Sequence, residues 1–90
     1  MSDADLAEKL YDHLEATEEL PVDRTTSRWI GEAQAVASDL TDETMAAGVR
    51  RKRATEVRKL LAEVDSTGHP EADGHVARAR ELAAKLSENE

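Results

Sequence analysis

Apolar residues recur along this chain at helical spacing in four separate stretches, and strand-like alternation appears nowhere. In the first stretch, residues 3–18, Leu6, Leu10 and Leu14 form an i, i+4 stripe flanked by Ala7 and Tyr11. Ser2 precedes it as an N-cap, and Asp3 and Asp5 occupy the first turn, where the helix dipole favours carboxylates. Pro21 pushes Leu20 out of the helical region and stops the segment. The second stretch, 23–39, starts at a capping Asp23 and carries Trp29, Ala33, Val36 and Leu40 as its stripe, with Ile30 and Ala37 alongside. Thr41 to Thr44 break it, and either threonine is suited to cap the third helix.

The third stretch, 45–65, is ordinary in its second half, where Val57, Leu60, Leu61 and Val64 share a face. Carried back at 100° per residue, that face meets Ala46, Arg50, Arg53 and Ala54, so two arginines stand where apolar residues belong. Local violations of pattern tend to fall at functional or strained sites. Gly68 and Pro70 then separate one helix end from the next helix start, and the fourth stretch, 70–86, runs on Ala72, Val76, Ala79, Ala83 and Leu86, with Leu82 beside them. The expected fold is all-α: four short amphipathic helices in an antiparallel bundle, spanning residues 1–90 as one domain.

Charge changes the picture more than composition does. Residues 1–23 hold eight acids and one base, whereas residues 50–59 hold six bases and one acid. The chain as a whole carries a formal charge of −8. A compact cationic patch on an anionic body is a place where something binds. Acids outnumber bases twenty to twelve, Phe is absent and large aliphatics are few. That balance suits a halophile, because molar salt shortens the Debye length to about 3 Å and strengthens apolar burial, so a small core suffices. With no basic leader and no apolar run long enough to span a bilayer, the expected setting is the cytoplasm, away from membranes.

Candidate chemistry is sparse. Without Cys there is no thiolate nucleophile, disulfide or Cys-based zinc site. Glu15-x-x-Glu18 and Asp39-x-x-Asp42 have the paired-acid look of magnesium-dependent nucleotide pyrophosphohydrolases, but they end successive antiparallel helices and so lie about 25 Å apart, at opposite poles. His69 and His75 are six residues apart rather than four, and His13 borders the first stripe. Ser27 and Ser38 have no evident His–acid partner, and no Gly-rich phosphate loop occurs. No enzyme activity, no cofactor and no metal are expected.

The arginines remain. Arg50 and Arg53 could reach carboxylates across the bundle, their stems covering apolar area. Otherwise Arg50, Arg51, Arg53 and Arg58 serve a partner, with Trp29 as a further anchor. That partner is a protein with an acidic surface, a second copy of this chain, or, less well matched, nucleic acid. Against nucleic acid stand the anionic body and the lack of aromatics among the bases. The strings Arg28-Trp29-Ile30-Gly31-Glu32-Ala33 and Gly68-His69-Pro70-Glu71-Ala72-Asp73 resemble small acidic all-helical proteins of haloarchaea that have no assigned role. The resemblance implies a halophilic setting and no particular activity. The expected role is a non-catalytic protein-interaction module, with a nucleic-acid-associated accessory protein as the alternative.

Overall fold

A computed structural model describes residues 2–88 of the chain. Four helices are present: α1 (Asp3–Ala16), α2 (Arg24–Leu40), α3 (Ala47–Ala62) and α4 (Pro70–Glu88), with a 3-10 turn at Thr17–Glu19. Each helix packs on its two neighbours in a ring, α1 on α2 and α4, and α3 on α2 and α4. The result is an up-down-up-down bundle, as the short connections require.

The buried positions step by four and three residues in every helix, the spacing of a coiled-coil seam. In α2 they are Thr26, Ile30, Ala33, Ala37 and Leu40, and in α4 Ala72, Val76, Ala79, Ala83 and Leu86, with Leu82 buried beside them. The largest fully buried side chains are Leu10, Leu14, Leu40, Val57, Leu61, Leu82 and Leu86. Ala7, Ala33, Ala37, Ala54, Ala72, Ala79 and Ala83 are fully buried among the same helices. Alanines at seam positions let helices approach closely, because a methyl group extends so little from the backbone.

The two poles differ. At one, the core ends in Thr17 and Thr26, and each buried hydroxyl has a local acceptor: the Leu14 carbonyl at 2.7 Å and the Asp23 carboxylate at 2.6 Å. Thr67 closes the same pole, with its backbone N–H and hydroxyl both donating to Asp73 Oδ1, at 2.8 and 2.7 Å. Gly68 there adopts φ +77°, a left-handed conformation that glycine takes without a Cβ penalty. Arg80 caps the end of α3 by donating to the carbonyls of Leu61, at 2.8 Å, and Val64. The opposite pole gathers Asp3, Leu40, Arg50 and Leu86.

Several boundaries move relative to the pattern. The α-helix of the first segment stops at Ala16 and tightens into the 3-10 turn, so its end falls one residue beyond the expected 18. The stripe of α2 turns by about one position, leaving Trp29 and Val36 half-buried on its flank while Ile30 and Ala37 enter the core. α3 starts at Ala47 rather than 45, and Ala46 caps it without a side-chain bond. Neither threonine caps α3. The Thr41 hydroxyl donates to the Ser38 carbonyl at the end of α2, and Thr44 folds onto the Asp42 carboxylate at 2.6 Å. α3 also ends at Ala62, short of 65, and α4 continues to Glu88, past 86.

Candidate functional site

The sequence places six bases between residues 50 and 59, and one helical turn decides where each one goes. The seam of α3 steps through Arg50, Ala54, Val57 and Leu61. Arg50 therefore occupies a seam position at the end of the core, and its side chain is 11% exposed. Its guanidinium donates to the Asp42 carbonyl at 3.1 Å and lies 3.6 Å from the Asp3 carboxylate of α1. The Nε of the same group is buried without a partner. Arg50 thus closes the pole between α1, α3 and the α2–α3 connection.

Arg53 behaves differently, although the pattern groups it with Arg50. Steps of four and three pass it by, so it stands just off the seam with its guanidinium in water, 3.4 Å from Glu56 one turn on. Only one of the two misfit arginines reaches across the bundle. Arg58 leans to the other side of α3 and donates to Ser87 Oγ of α4 at 3.1 Å. Arg51 is half-buried on that same flank. Lys52 and Lys59 occupy the outermost strip and, with Thr55 and Glu56, line a shallow depression.

The arginines do not gather around Trp29. Trp29 lies in the first half of α2 and Arg50 to Arg53 in the first half of α3, so the antiparallel packing of the two helices sets them towards opposite ends of the bundle. It is half-buried and packs against the core. An apolar group that the pattern did not single out lies closer to the bases: Val49, 46% exposed, one turn before Arg53 and Lys52. Its signal in the sequence was a β-branched apolar residue off the helix stripe, directly preceding the run of bases.

Ring order gives this face its electrostatic setting. α1 and its 3-10 turn carry seven acids against one base, and they stand diagonally across the bundle from α3. Their outward residues Asp5, Glu8, Asp12, Glu15, Glu18 and Glu19 are all exposed. The bundle is only 17–19 Å thick, yet its two charged faces point in opposite directions. α2 and α4, with mixed charges, lie between them. In contrast to Arg50–Asp3, the ion pairs Arg28–Glu32, Arg53–Glu56 and Arg78–Glu81 each stay within one helix, at spacings of three or four.

Four other titratable groups are shifted by their surroundings. Asp23 is held below the usual carboxylate range by hydrogen bonds from the Thr26 hydroxyl and the Thr25 N–H. The Thr44 hydroxyl and N–H do the same for Asp42, and the Thr67 N–H and hydroxyl for Asp73. His13 meets His75 across α1 and α4, a contact between residues 62 positions apart that no local spacing signals. Burial, aided by the charges of His75 and Arg78, holds His13 below the ordinary imidazole value. Among the described residues no three His, Asp or Glu side chains converge as a metal cage. No helix among them is long and apolar enough to cross a membrane.

No curated protein and no solved structure matches the chain. A family model does, over residues 6–90, a span that takes in α2, α3 and the α1 seam from Leu6 onward. On that match, the chain with its cationic third helix belongs to the family described as a domain of unknown function (DUF8152).

Proposed function

We propose that this protein is a non-catalytic interaction module of a halophilic cytoplasm, and that the outward face of α3 docks an acidic protein surface. The observation that carries the reading is the diagonal placement of α1 and α3. It holds the acidic face of α1 away from Lys52, Arg53, Arg58 and Lys59, which stay exposed with Glu56 among them. Val49 supplies an apolar contact beside them, so the face offers charge for orientation and a point of desolvation for affinity. Arg50 belongs to the closure of the pole. Arg51 and Arg58 edge the face towards α4, and Trp29 marks a separate position on α2.

A halophilic setting fits the same molecule. Asp3 and Asp73 are partly covered and the other described carboxylates are exposed, so the surface repels itself at low salt. The core relies on small residues, seven of its eighteen buried apolar side chains being alanine, and gains from the stronger burial that concentrated salt provides.

The test is affinity capture from the source lysate in about 2 M KCl, where long-range charge is screened. It is run with and without nuclease, beside a Lys52→Glu/Arg53→Glu/Lys59→Glu variant. A discrete protein that survives nuclease and is lost with the variant supports the reading. Recovery of nucleic acid, or loss of every partner after nuclease, transfers the face to phosphate binding. A partner that binds the variant equally well removes α3 from the interface.

A further inference from the structure

His13 lies beside Leu14 on α1, and His75 beside Val76 on α4. Both neighbours are buried, and the packing of α1 on α4 brings the two histidines together on facing flanks. Their Nδ1 atoms are 2.9 Å apart, the ring centroids 5.2 Å apart, and the planes tilted by 47°. One proton bridges them: the Nδ1–H of one ring donates to the Nδ1 lone pair of the other.

We infer that this pair is a binding site for a divalent transition-metal ion, held between the first and last helices by the two Nδ1 atoms. Bonds of about 2.05 Å to nitrogens 2.9 Å apart subtend about 90° at the metal. That is a cis pair in square-planar or octahedral geometry, whereas a tetrahedral ion needs the nitrogens about 3.3 Å apart. The rings turn about χ2 and can meet either spacing, so the preference follows the general affinity order, in which Cu²⁺ stands above both Ni²⁺ and Zn²⁺. The α1 and α4 backbones keep their spacing. Each ring swings about χ2, a soft torsion, to aim its lone pair at the metal.

Metal binding needs both Nδ1 lone pairs. The ring that donates in the metal-free protein moves its proton to Nε2 by exchange with water, with no net release at neutral pH. The depressed proton affinity of His13 leaves it neutral under those conditions. The other charges acting on His13 are Arg78 and Lys9, which repel a cation, and Asp12, which attracts one. No third His, Asp or Glu side chain joins them in a metal cage among the described residues, so water completes the coordination sphere. The bound ion ties α1 to α4 and closes the helix ring on itself.

NiCl₂ titrated into the untagged chain at pH 7.5, followed by calorimetry and thermal melts, tests this. Saturable one-to-one binding is expected. With free Ni²⁺ at 100 times Kd, the folded-to-unfolded ratio rises about a hundredfold. His13→Gln and His75→Gln each weaken binding by roughly tenfold or more, since even the loss of an outer-shell partner costs 10–100-fold, while His69→Gln retains it. Binding fades at pH 5.5 as protons compete for the lone pairs. In the parent protein, paramagnetic Ni²⁺ broadens the His13 and His75 ring resonances before those of His69, a readout that needs no variant to fold. Absence of saturable binding, full binding by either glutamine variant at 13 or 75, or first broadening at His69 overturns the inference.

Discussion

Replacing Arg50 by leucine separates what its stem does from what its guanidinium does. The head group makes one charge-assisted hydrogen bond, to the Asp42 carbonyl, and one long ion pair, to Asp3. Losing the first costs about 1.5–3 kcal/mol and losing the second about 0.2–1 kcal/mol. Against this, the unpartnered buried Nε disappears, relieving about 1–3 kcal/mol, and a leucine fixes less side-chain entropy than an arginine, by about 1 kcal/mol. Leucine keeps apolar atoms where the stem of Arg50 lay. Arg50→Leu should therefore fall within about 1 kcal/mol of the parent at 0.1 M KCl and reach or exceed it at 2 M, where the ion pair is screened and burial strengthened. Arg50→Ala gives up the stem as well and should lie about 2 kcal/mol below Arg50→Leu, at the lower end of leucine-to-alanine losses because the position is not fully buried. For a domain of this size that gap is about 8–16 °C in Tm. Urea and thermal unfolding of both variants at the two salt concentrations provide the comparison. If Arg50→Leu falls as far as Arg50→Ala at both, the guanidinium rather than the stem holds the pole together, and this balance of terms is wrong. Adding Arg53→Leu should change stability by no more than about 0.5 kcal/mol, since Arg53 is solvated, while reducing capture by the α3 face.

Other perturbations read different parts of the bundle. Ala54→Leu inserts three heavy atoms at a fully buried position and should cost about 1–3 kcal/mol in urea unfolding, whereas Ala62→Leu, on an exposed position of the same helix, should stay within about 0.5 kcal/mol. Because the folded state holds the His13 pKa below 6.5, the unfolded chain binds the proton first. Stability is therefore full above pH 6.5 and declines as the pH falls through that value, and melts in low-chloride buffer should show the decline vanish in His13→Gln. For Asp73 the depressed carboxyl works the other way: its contribution is present above the ordinary 3.8 and is lost as pH falls through the lower folded value. Asp73→Ala should accordingly melt below the parent at pH 7, with the gap narrowing below pH 3.

Much of the fold was readable from periodicity, because each helix carries its own stripe and Ser2, Asp23, Gly68 and Pro70 punctuate the segments. The cap at Asp23 and the bridging threonines arise from local chemistry over two or three residues, the range at which a sequence speaks most directly. What it could not settle was rotation within a stripe. A period of 3.6 draws Arg50 and Arg53 onto one face, whereas a packed seam runs at 3.5 and keeps only Arg50. The same small difference turned Trp29 outward and Ile30 inward on α2. His13 and His75 were beyond reach for another reason: their meeting depends on the ring order of helices and on how α1 packs on α4, both properties of the closed bundle. Arg80, whose guanidinium finds the carbonyls at the end of α3, was hidden in the same way.

The diagonal separation of acid and base makes the molecule an electric dipole directed across its short axis. In dilute buffer such a dipole turns an approaching partner before contact, raising the encounter rate and making association strongly dependent on ionic strength. In molar salt its field fades within about 3 Å, less than the length of the lysine side chains that generate it. There the molecule recognises by touch rather than at a distance. Substitutions in α3 should then leave association rates alone and appear instead in how long a complex lasts.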